Sequence, residues 1–161
     1  MALHIACFSA SGITRQAAER IEKLTGAELF GIEPAVPYTN ADLNWRDRSS
    51  RSTLEMKSPM APVELAEVCE LKDGDTLLLG YPIWWYEAPA IINSFLARFA
   101  RRKLTIVPFA TSGGSTMEHS EKLLKERFKT FEWKDGLLIG ENTPDTRLCE
   151  WLKRAGIPAS R

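Results

Sequence analysis

The chain has 161 residues, of which 44% are hydrophobic and 26% are charged, and its 21 basic residues balance its 21 acidic ones. This length and composition suit one soluble domain and exclude a largely disordered chain. Without net charge there is no broad electrostatic field to attract nucleic acid or an anionic membrane, so we expect neither as a partner.

The amino end predicts a strand, a helix and a second strand. Residues 3–8 are a nearly unbroken apolar run, typical of a strand buried on both faces of a parallel sheet. Apolar residues then recur at helical spacing as far as Leu24, and Gly26 stands where a carboxyl-terminal cap would end the helix. Residues 27–33 alternate toward the second strand. Such a unit predicts parallel pairing through a right-handed crossover.

Residues 34–62, the excursion, interrupt this alternation with Pro, Ser, Asn and charged residues. Loops longer than ~12–15 residues in a compact domain are usually functional or disordered. Because this stretch carries aromatic residues, including Tyr38 and Trp45, we expect a packed flap. A weak helical pattern follows at residues 63–68, and residues 76–79 predict a buried third strand.

The next helix and strand carry clear apolar patterns. Pro89 fits the first turn of a helix whose apolar face continues to Phe99. Residues 104–110 predict a fourth strand. Pro108 lies inside it and lacks an N–H donor, which indicates a strand end or a bulge.

The carboxyl end completes the alternation of strands and helices. Ser115 and Glu118 have the spacing of a capping box for the next helix. Residues 137–139 predict the last strand, and an apolar helical pattern containing Trp151 is ended by Gly156. The sequence therefore predicts an α/β fold, one doubly wound domain with five parallel strands and helices on both faces of the sheet.

In open parallel sheets ligands bind beyond the carboxyl ends of the strands, so the turns after the first, third and fourth strands are candidate binding loops. The first turn contains Ser9, Ala10, Ser11, Gly12, Ile13 and Thr14. Its hydroxyls and its N–H groups at a helix start suit a phosphate, without a lysine. Alternatively, Ser11 or Thr14 merely caps the helix.

The second turn is aromatic and contains Gly80, Tyr81, Pro82, Ile83, Trp84, Trp85 and Tyr86. Tryptophans normally bury ~150–250 Å² each, so two of them in a loop favour a cover for a flat ring. Alternatively, both tryptophans pin the following helix onto the sheet. We expect one tryptophan to meet the ligand.

The third turn contains Thr111, Ser112, Gly113, Gly114 and Ser115. Its glycines permit close approach of the backbone, and its hydroxyls and N–H groups suit the polar edge of a ring. Taken alone, it is equally a loop with a helix cap. The three turns together predict a phosphate site, an aromatic wall and a polar edge at one rim of the sheet.

The first turn matches the phosphate loop of the flavodoxin family, which reads Ser/Thr, any residue, Ser/Thr, Gly, any residue, Thr. The matching positions are Ser9, Ser11, Gly12 and Thr14. The chain most closely resembles bacterial flavodoxins with a Tyr-Pro-Ile-Trp-Trp segment and a Thr-Ser-Gly-Gly-Ser segment, found here at residues 81–85 and 111–115. The resemblance covers almost the whole chain.

This resemblance implies a flavodoxin-like sheet with strand order 2-1-3-4-5 and one bound FMN. It implies that the FMN phosphate lies on residues 9–14, the isoalloxazine lies against Trp84 or Trp85, and the pyrimidine edge lies near residues 111–115. Two positions depart from the family pattern. Ile13 replaces a common Asn, which predicts weaker FMN binding, and Tyr86 replaces a common glycine.

The expected function is that of an FMN-dependent redox protein with a low reduction potential. It is either an electron carrier that serves a redox partner protein, or an enzyme that uses NAD(P)H to reduce a small acceptor such as a quinone. The neutral charge favours the enzyme, because flavodoxins that act as carriers are typically acidic, and Tyr38, Trp45 and Tyr86 could form a flap over the flavin edge. A binding module that has lost FMN is the alternative.

The sequence does not distinguish a monomer from a homodimer. Cys7, Cys69 and Cys149 lack the spacing of a zinc or redox motif and are expected to be reduced thiols. The amino end has no pattern of a signal peptide, and no apolar run approaches the ~18 residues of a membrane helix. We therefore expect a cytoplasmic protein without a metal site.

Overall fold

The structure is a computed structural model and describes residues 1–159. Its strands are β1 (Leu3–Cys7), β2 (Glu28–Gly31), β3 (Thr76–Pro82), β4 (Thr105–Thr111), β5 (Glu132–Trp133) and β6 (Leu137–Leu138). Its helices are α1 (Ile13–Thr25), α2 (Arg51–Lys57), α3 (Ala90–Ala97), α4 (Glu118–Arg127) and α5 (Asp145–Arg154). The strands pair in parallel in the order β2-β1-β3-β4, and β5 and β6 together occupy the fifth position beside β4. This confirms the predicted fold class and strand order.

Helices cover both faces of the sheet because the central strands are apolar on both sides. Successive residues of β3 point to opposite faces, so Leu77 and Leu79 belong to one core cluster and Leu78 to the other. The first cluster packs the sheet against α3 and α4, and the second packs it against α1 and α5. A continuous apolar run in the sequence thus becomes a strand buried between two helical layers.

β3 extends three residues beyond the predicted strand. Pro82 is in register with Thr111, and the N–H of Ile83 donates to the carbonyl oxygen of Thr111 at 3.0 Å. Gly80, Tyr81 and Pro82 are therefore strand residues, and the second candidate loop begins only at Ile83. The pairing with β4 continues through a proline because the backbone groups of Gly80, and with the two-residue period those of Pro82, face the β1 side, so the missing N–H is not one that β4 needs.

The helix expected at residues 63–68 is wrong. This stretch is extended, and Leu65 forms an antiparallel bridge with Pro34. The N–H of Ala35 donates to the carbonyl oxygen of Glu64 at 2.8 Å. Val63 and Leu65 are half-buried and Glu64 is exposed, which is the two-residue period of a strand.

Pro108 causes neither a strand end nor a bulge in β4, contrary to expectation. It lies inside the strand in register with Leu79. On the opposite side of β4, the carbonyl oxygens of Ile106 and Ala110 accept from Lys134 and Ile139 at 2.9 and 2.8 Å. The missing N–H of Pro108 falls between these two bonds, where the fifth strand is interrupted between β5 and β6.

The predicted capping box at the start of α4 is also absent. Met117 occupies the cap position, and no side chain caps the helix. The N–H of Ser115 donates to Oγ of Ser112 at 2.7 Å, which holds Ser115 in the preceding loop. Local hydrogen bonding within that loop competes successfully with the cap.

Asp75 organises the sheet edge opposite the candidate loops. Its buried carboxylate accepts from the N–H of Ala2 and of Lys72, each at 2.9 Å, and lies 3.0 Å from Nε2 of His4. Burial by itself raises the pKa of Asp75, but the bonds from Ala2, Lys72 and His4 outweigh burial and hold the pKa below its usual value.

We predict that Asp75→Asn lowers the free energy of unfolding by about 2–4 kcal/mol at neutral pH, because a buried, multiply bonded carboxylate is lost. A lowered folded-state pKa contributes stability above the unfolded-state pKa of about 4 and loses it as pH falls through the folded-state value. Urea unfolding should therefore show the difference shrinking below about pH 4. Asp73→Asn is the matched control, since Asp73 is exposed and accepts one bond, from Lys103. A pH-independent difference would contradict the prediction.

Candidate functional site

The first loop leaves the amino end of α1 without a side-chain cap. Gly12, at the cap position, has a φ of 92°, and its N–H donates to Oγ of Ser9 at 3.0 Å. Across residues 1–159, the N–H groups of Ile13, Thr14 and Arg15 have no hydrogen-bond acceptor. The alternative in which Ser11 or Thr14 caps the helix is therefore wrong. Unused N–H groups at the positive end of a helix are suited to an anion.

Thr14 connects the first loop to the third. Its side chain is buried, and its Oγ1 lies 2.7 Å from Oγ1 of Thr111, at the end of β4. One hydrogen bond uses only one of the two hydroxyl protons, so a proton remains for a second acceptor. Two loops 97 residues apart in the chain thus meet at the same edge of the sheet.

The second loop is a tight two-residue turn in a strained conformation. The N–H groups of Trp84 and Glu87 each donate to the other residue's carbonyl oxygen, at 2.9 and 3.0 Å. Between them, Trp85 and Tyr86 have φ values of 48° and 67°, and no other non-glycine residue of the described chain has a positive φ. Turns of this type favour Asn and Gly. A residue other than glycine with a positive φ costs about 1–3 kcal/mol of conformational strain.

The structure separates the two tryptophans of this turn. The ring of Trp84 is half-buried and lies edge-on to Phe8 and Tyr38, with centroid distances of 5.5 and 5.7 Å. Trp85 is 41% exposed. Trp84 therefore fixes the turn to the core, whereas the Trp85 ring is free to contact a ligand.

A cavity of about 330 Å³ lies between this turn and the excursion, and we call it the aromatic slot. It is lined by Leu43, Trp45, Ser52, Ile83, Trp84, Trp85, Tyr86 and Ser115. None of these side chains is charged, and four of them are aromatic. Its volume and its walls suit a flat, mainly apolar molecule.

The third loop uses part of its hydrogen-bonding capacity internally. Oγ of Ser112 accepts from the N–H of Gly114 at 3.1 Å and from the N–H of Ser115 at 2.7 Å. A Cβ placed on Gly113 or on Gly114 would meet no atom within 4 Å, so the space above both glycines is open. Of the predicted ring-edge residues, Ser115 lines the slot directly, and Thr111 bonds to Thr14.

Residues 2–155 match the sequence model of the flavodoxin family. The chain belongs to the flavodoxin family. It is similar to two solved structures provisionally named flavoproteins. The one from Bacteroides eggerthii is 37% identical, with 97% of this chain and 98% of the other covered and a TM-score of 0.85. The one from Bacteroides uniformis is 36% identical, with 94% and 97% covered and a TM-score of 0.84.

A more distant structure supports the fold alone. It is a flavoprotein from Lactobacillus acidophilus in complex with FMN, 18% identical, with 93% of this chain and 97% of the other covered and a TM-score of 0.73. The comparison with curated proteins found no match. In the flavodoxin described here, no helix among residues 1–159 has the length and apolar character needed to cross a membrane.

The excursion of this flavodoxin packs differently from the expected flap. Trp45 and Tyr86 do line the slot and are 64% and 67% exposed. Tyr38 instead does not line the slot, and its ring packs against both Phe8 and Trp84. Burial, and then the hydrogen bond that the hydroxyl donates to Glu55, raise the pKa of Tyr38 above its ordinary value. The Tyr38 ring is thus part of the support for the slot.

Sequence reasoning missed two lining residues, Leu43 and Ser52, and one supporting residue, Phe8. Leu43 and Ser52 belong to the excursion, where apolar residues follow no period. Phe8 was assigned to the end of the first strand, and nothing in its sequence position indicates that it contacts Trp84. The only available signal for Leu43 was an apolar side chain in an otherwise polar stretch.

We predict that Tyr86→Gly raises the free energy of unfolding by about 0.5–1 kcal/mol, because glycine adopts the positive φ of this turn without a Cβ clash. The lost contacts are few, since Tyr86 is exposed. Tyr86→Ala is the control, as it removes the ring and keeps the backbone strain. Chemical unfolding of the three proteins measures both effects, and an alanine variant as stable as the glycine variant would rule out strain relief.

Proposed function

We propose that this flavodoxin binds one FMN and functions as an FMN-dependent redox protein. The observation that carries the proposal is the uncharged aromatic slot, located at the same sheet edge as the uncapped amino end of α1. The FMN complex of the Lactobacillus acidophilus flavoprotein, which has a similar fold, supports the choice of cofactor. In this proposal the phosphate binds residues 9–14 and the ring occupies the slot.

The residues of the first loop fit a phosphate group. The free N–H groups of Ile13, Thr14 and Arg15 and the positive end of the α1 dipole both favour an anion. A Cβ on Gly12 would meet no atom within 4 Å, so the loop leaves space for the phosphate. Ile13 binds through its backbone N–H alone, and its side chain is exposed. No lysine is required in such a site.

The slot fits a flat ring with a polar edge. Trp85 and Trp45 provide aromatic faces, and the hydroxyls of Ser52 and Ser115 provide polar groups at the lining. FMN, when bound, supplies reversible electron and hydride transfer. The slot residues would orient the ring and exclude water from one of its sides. With no charged side chain in its lining, the slot disfavours added negative charge and so lowers the reduction potential.

Two roles remain within this proposal. Trp45 and Tyr86, both largely exposed, stand at the mouth of the slot, where a small acceptor such as a quinone or a nicotinamide could stack. The balanced net charge favours the reductase role over that of a carrier that docks by charge. Anaerobic mixing of the FMN-loaded protein with NADH and with NADPH distinguishes the two roles. Rapid bleaching of the flavin absorbance by either nucleotide indicates an enzyme, and no bleaching by either indicates a carrier.

The unpaired cysteines are the basis for a proposal about the cellular compartment. All three are unpaired, and burial raises the pKa of the Cys7 thiol to about 11, although Arg15 opposes this shift. Unpaired cysteines are typical of a reducing compartment, so we propose a cytoplasmic location.

Calorimetry tests the cofactor directly. We predict that FMN binds at least about 100-fold more tightly than riboflavin, because only FMN uses the free N–H groups of the first loop. Purified protein should then absorb near ~450 nm, as the flavin does. Absence of heat with FMN would favour the flavin-free binding module instead.

A substitution tests the slot separately. We predict that Trp85→Ala weakens FMN binding about 10-fold to 100-fold, because the ring loses an aromatic face. Met60→Ala is the matched control, since Met60 is exposed and does not line the slot. Equal affinities of the two variants in the same titration would show that the ring binds elsewhere.

The reduction potential tests the uncharged lining. We predict that Ser115→Lys raises the two-electron potential of bound FMN by about 20–40 mV, because a cation near the ring stabilises its reduced, more negative form by about 1–2 kcal/mol. Ser115→Gln is the control, as it adds bulk without charge. Equal potentials for the two variants, measured by equilibration with reference dyes, would contradict a ring beside Ser115.

A further inference from the structure

Arg51, the first residue of α2, joins separate parts of the excursion. Its Nη1 donates to the carbonyl oxygen of Val36 at 2.7 Å, and its Nε donates to Oε2 of Glu55 at 3.1 Å. Its guanidinium carbon also lies 4.0 Å from the centroid of the Tyr38 ring. The Arg51 side chain therefore connects the start of the excursion to α2, which lies near the end of the excursion.

Tyr38 is held from both of its ends. Its hydroxyl donates to the carboxylate of Glu55, the same group that accepts from Arg51. Its ring packs against Phe8 at 5.6 Å and against Trp84 at 5.7 Å between centroids. Phe8 directly follows β1, and Trp84 is the base of the strained turn. The Tyr38 ring thus connects the excursion to the residue that follows β1 and to the second loop.

The excursion forms one wall of the aromatic slot, and the strained turn forms the other. The excursion wall consists of Leu43, Trp45 and Ser52. It is continuous with the Arg51 contacts, because the N–H of Ser52, which follows Arg51, donates to the carbonyl oxygen of Asp42 at 2.9 Å. The position of this wall therefore depends on how α2 is anchored.

We propose that Arg51 is the positioning residue of the aromatic slot. By clamping Tyr38 against Trp84 it fixes the excursion wall opposite Trp85, and so it sets the width of the slot and the orientation of any ring within it. Arg51 does not line the slot and acts through Tyr38. The identity of the ring as a flavin rests on the proposed function, whereas the clamp itself does not.

The chemistry of the contacts requires arginine. A guanidinium donates in several fixed directions and stacks on an aromatic ring at the same time, as Arg51 does toward Val36, Glu55 and Tyr38. A lysine ammonium is a compact point charge without this planar fork. Arg51→Lys should therefore lose most of the clamp although it keeps the positive charge.

The experiment compares Arg51→Ala and Arg51→Lys with Arg48→Ala. Arg48 is an exposed arginine of the same excursion, and its side chain makes no hydrogen bond or ion pair with the residues described. Amide hydrogen exchange is measured first, without flavin. We expect protection of residues 36–57 to fall at least about tenfold in both Arg51 variants and to stay unchanged in Arg48→Ala, while the sheet keeps its protection.

FMN is then titrated into each protein, and the visible circular dichroism is recorded at saturation. We expect affinity to fall about tenfold in the Arg51 variants, with a changed spectrum of the saturated protein, because the ring is held in a different orientation. A spectrum identical to that of the wild type at saturation would reduce Arg51 to a structural residue and overturn the proposal.

The two proposals fail separately. If wild-type protein does not bind FMN, the proposed function fails, and hydrogen exchange alone decides whether Arg51 clamps the excursion. Unchanged protection of residues 36–57 in Arg51→Ala overturns the clamp whether or not FMN binds. Should Arg51→Ala fail to fold, Arg51→Lys provides both readouts.

Discussion

The parallel pairing of β1, β3 and β4 is the constraint on which the candidate site depends. Cys7 is in register with Gly80, and Pro82 is in register with Thr111, so all three strands end at the same edge. Any residue that directly follows one of these strands is carried to that edge. The Thr14–Thr111 hydroxyl bond then joins the first helix to the end of β4 across this edge. The loops need little structure of their own because the sheet positions their ends.

The strained turn shows how this frame stabilises an unfavourable conformation. Two bulky residues with positive φ together cost about 2–6 kcal/mol, which an isolated loop would avoid by refolding. Here Trp84 is packed against the core on one side of the turn, and Glu87 on the other side forms an ion pair with Arg127 at 2.9 Å. Because both flanks are anchored, the two central residues are held in this backbone conformation. As a result, the rings of Trp85 and Tyr86 are exposed and line the aromatic slot.

The sequence predicted what depends on period and on local chemistry. Buried strands at residues 3–8 and 104–110 and the helix ended by Gly26 were all recognisable, because a core imposes its period on apolar residues. Failures occurred where long-range pairing decides the outcome. Residues 63–68 are extended because the carbonyl oxygen of Glu33 and the N–H of Ala35 offer backbone hydrogen bonds, and no local pattern reports a partner about 30 residues away.

In the candidate site, too, the features set by local sequence could be predicted and those set by long-range contacts could not. Its three loops could be chosen from sequence, because each follows a predicted strand. The separate roles of Trp84 and Trp85 could not be predicted, since they depend on which of the two rings packs against Phe8 and Tyr38. Likewise, the hydroxyl of Thr14 has the expected residue type, but its partner Thr111 is set by the register of β4 against β3.

The distribution of charge bears on what this site can recognise. Neither the chain as a whole nor the lining of the slot has net charge, so neither long-range steering nor a local ion pair selects a partner there. Within the slot, recognition of a ring must then come from shape and from aromatic contact, and the rigidity of the slot walls becomes the main source of selectivity for that ring. This is why the contacts that fix those walls, Trp84 on Phe8 and Arg51 on Tyr38, matter as much as the residues that line them.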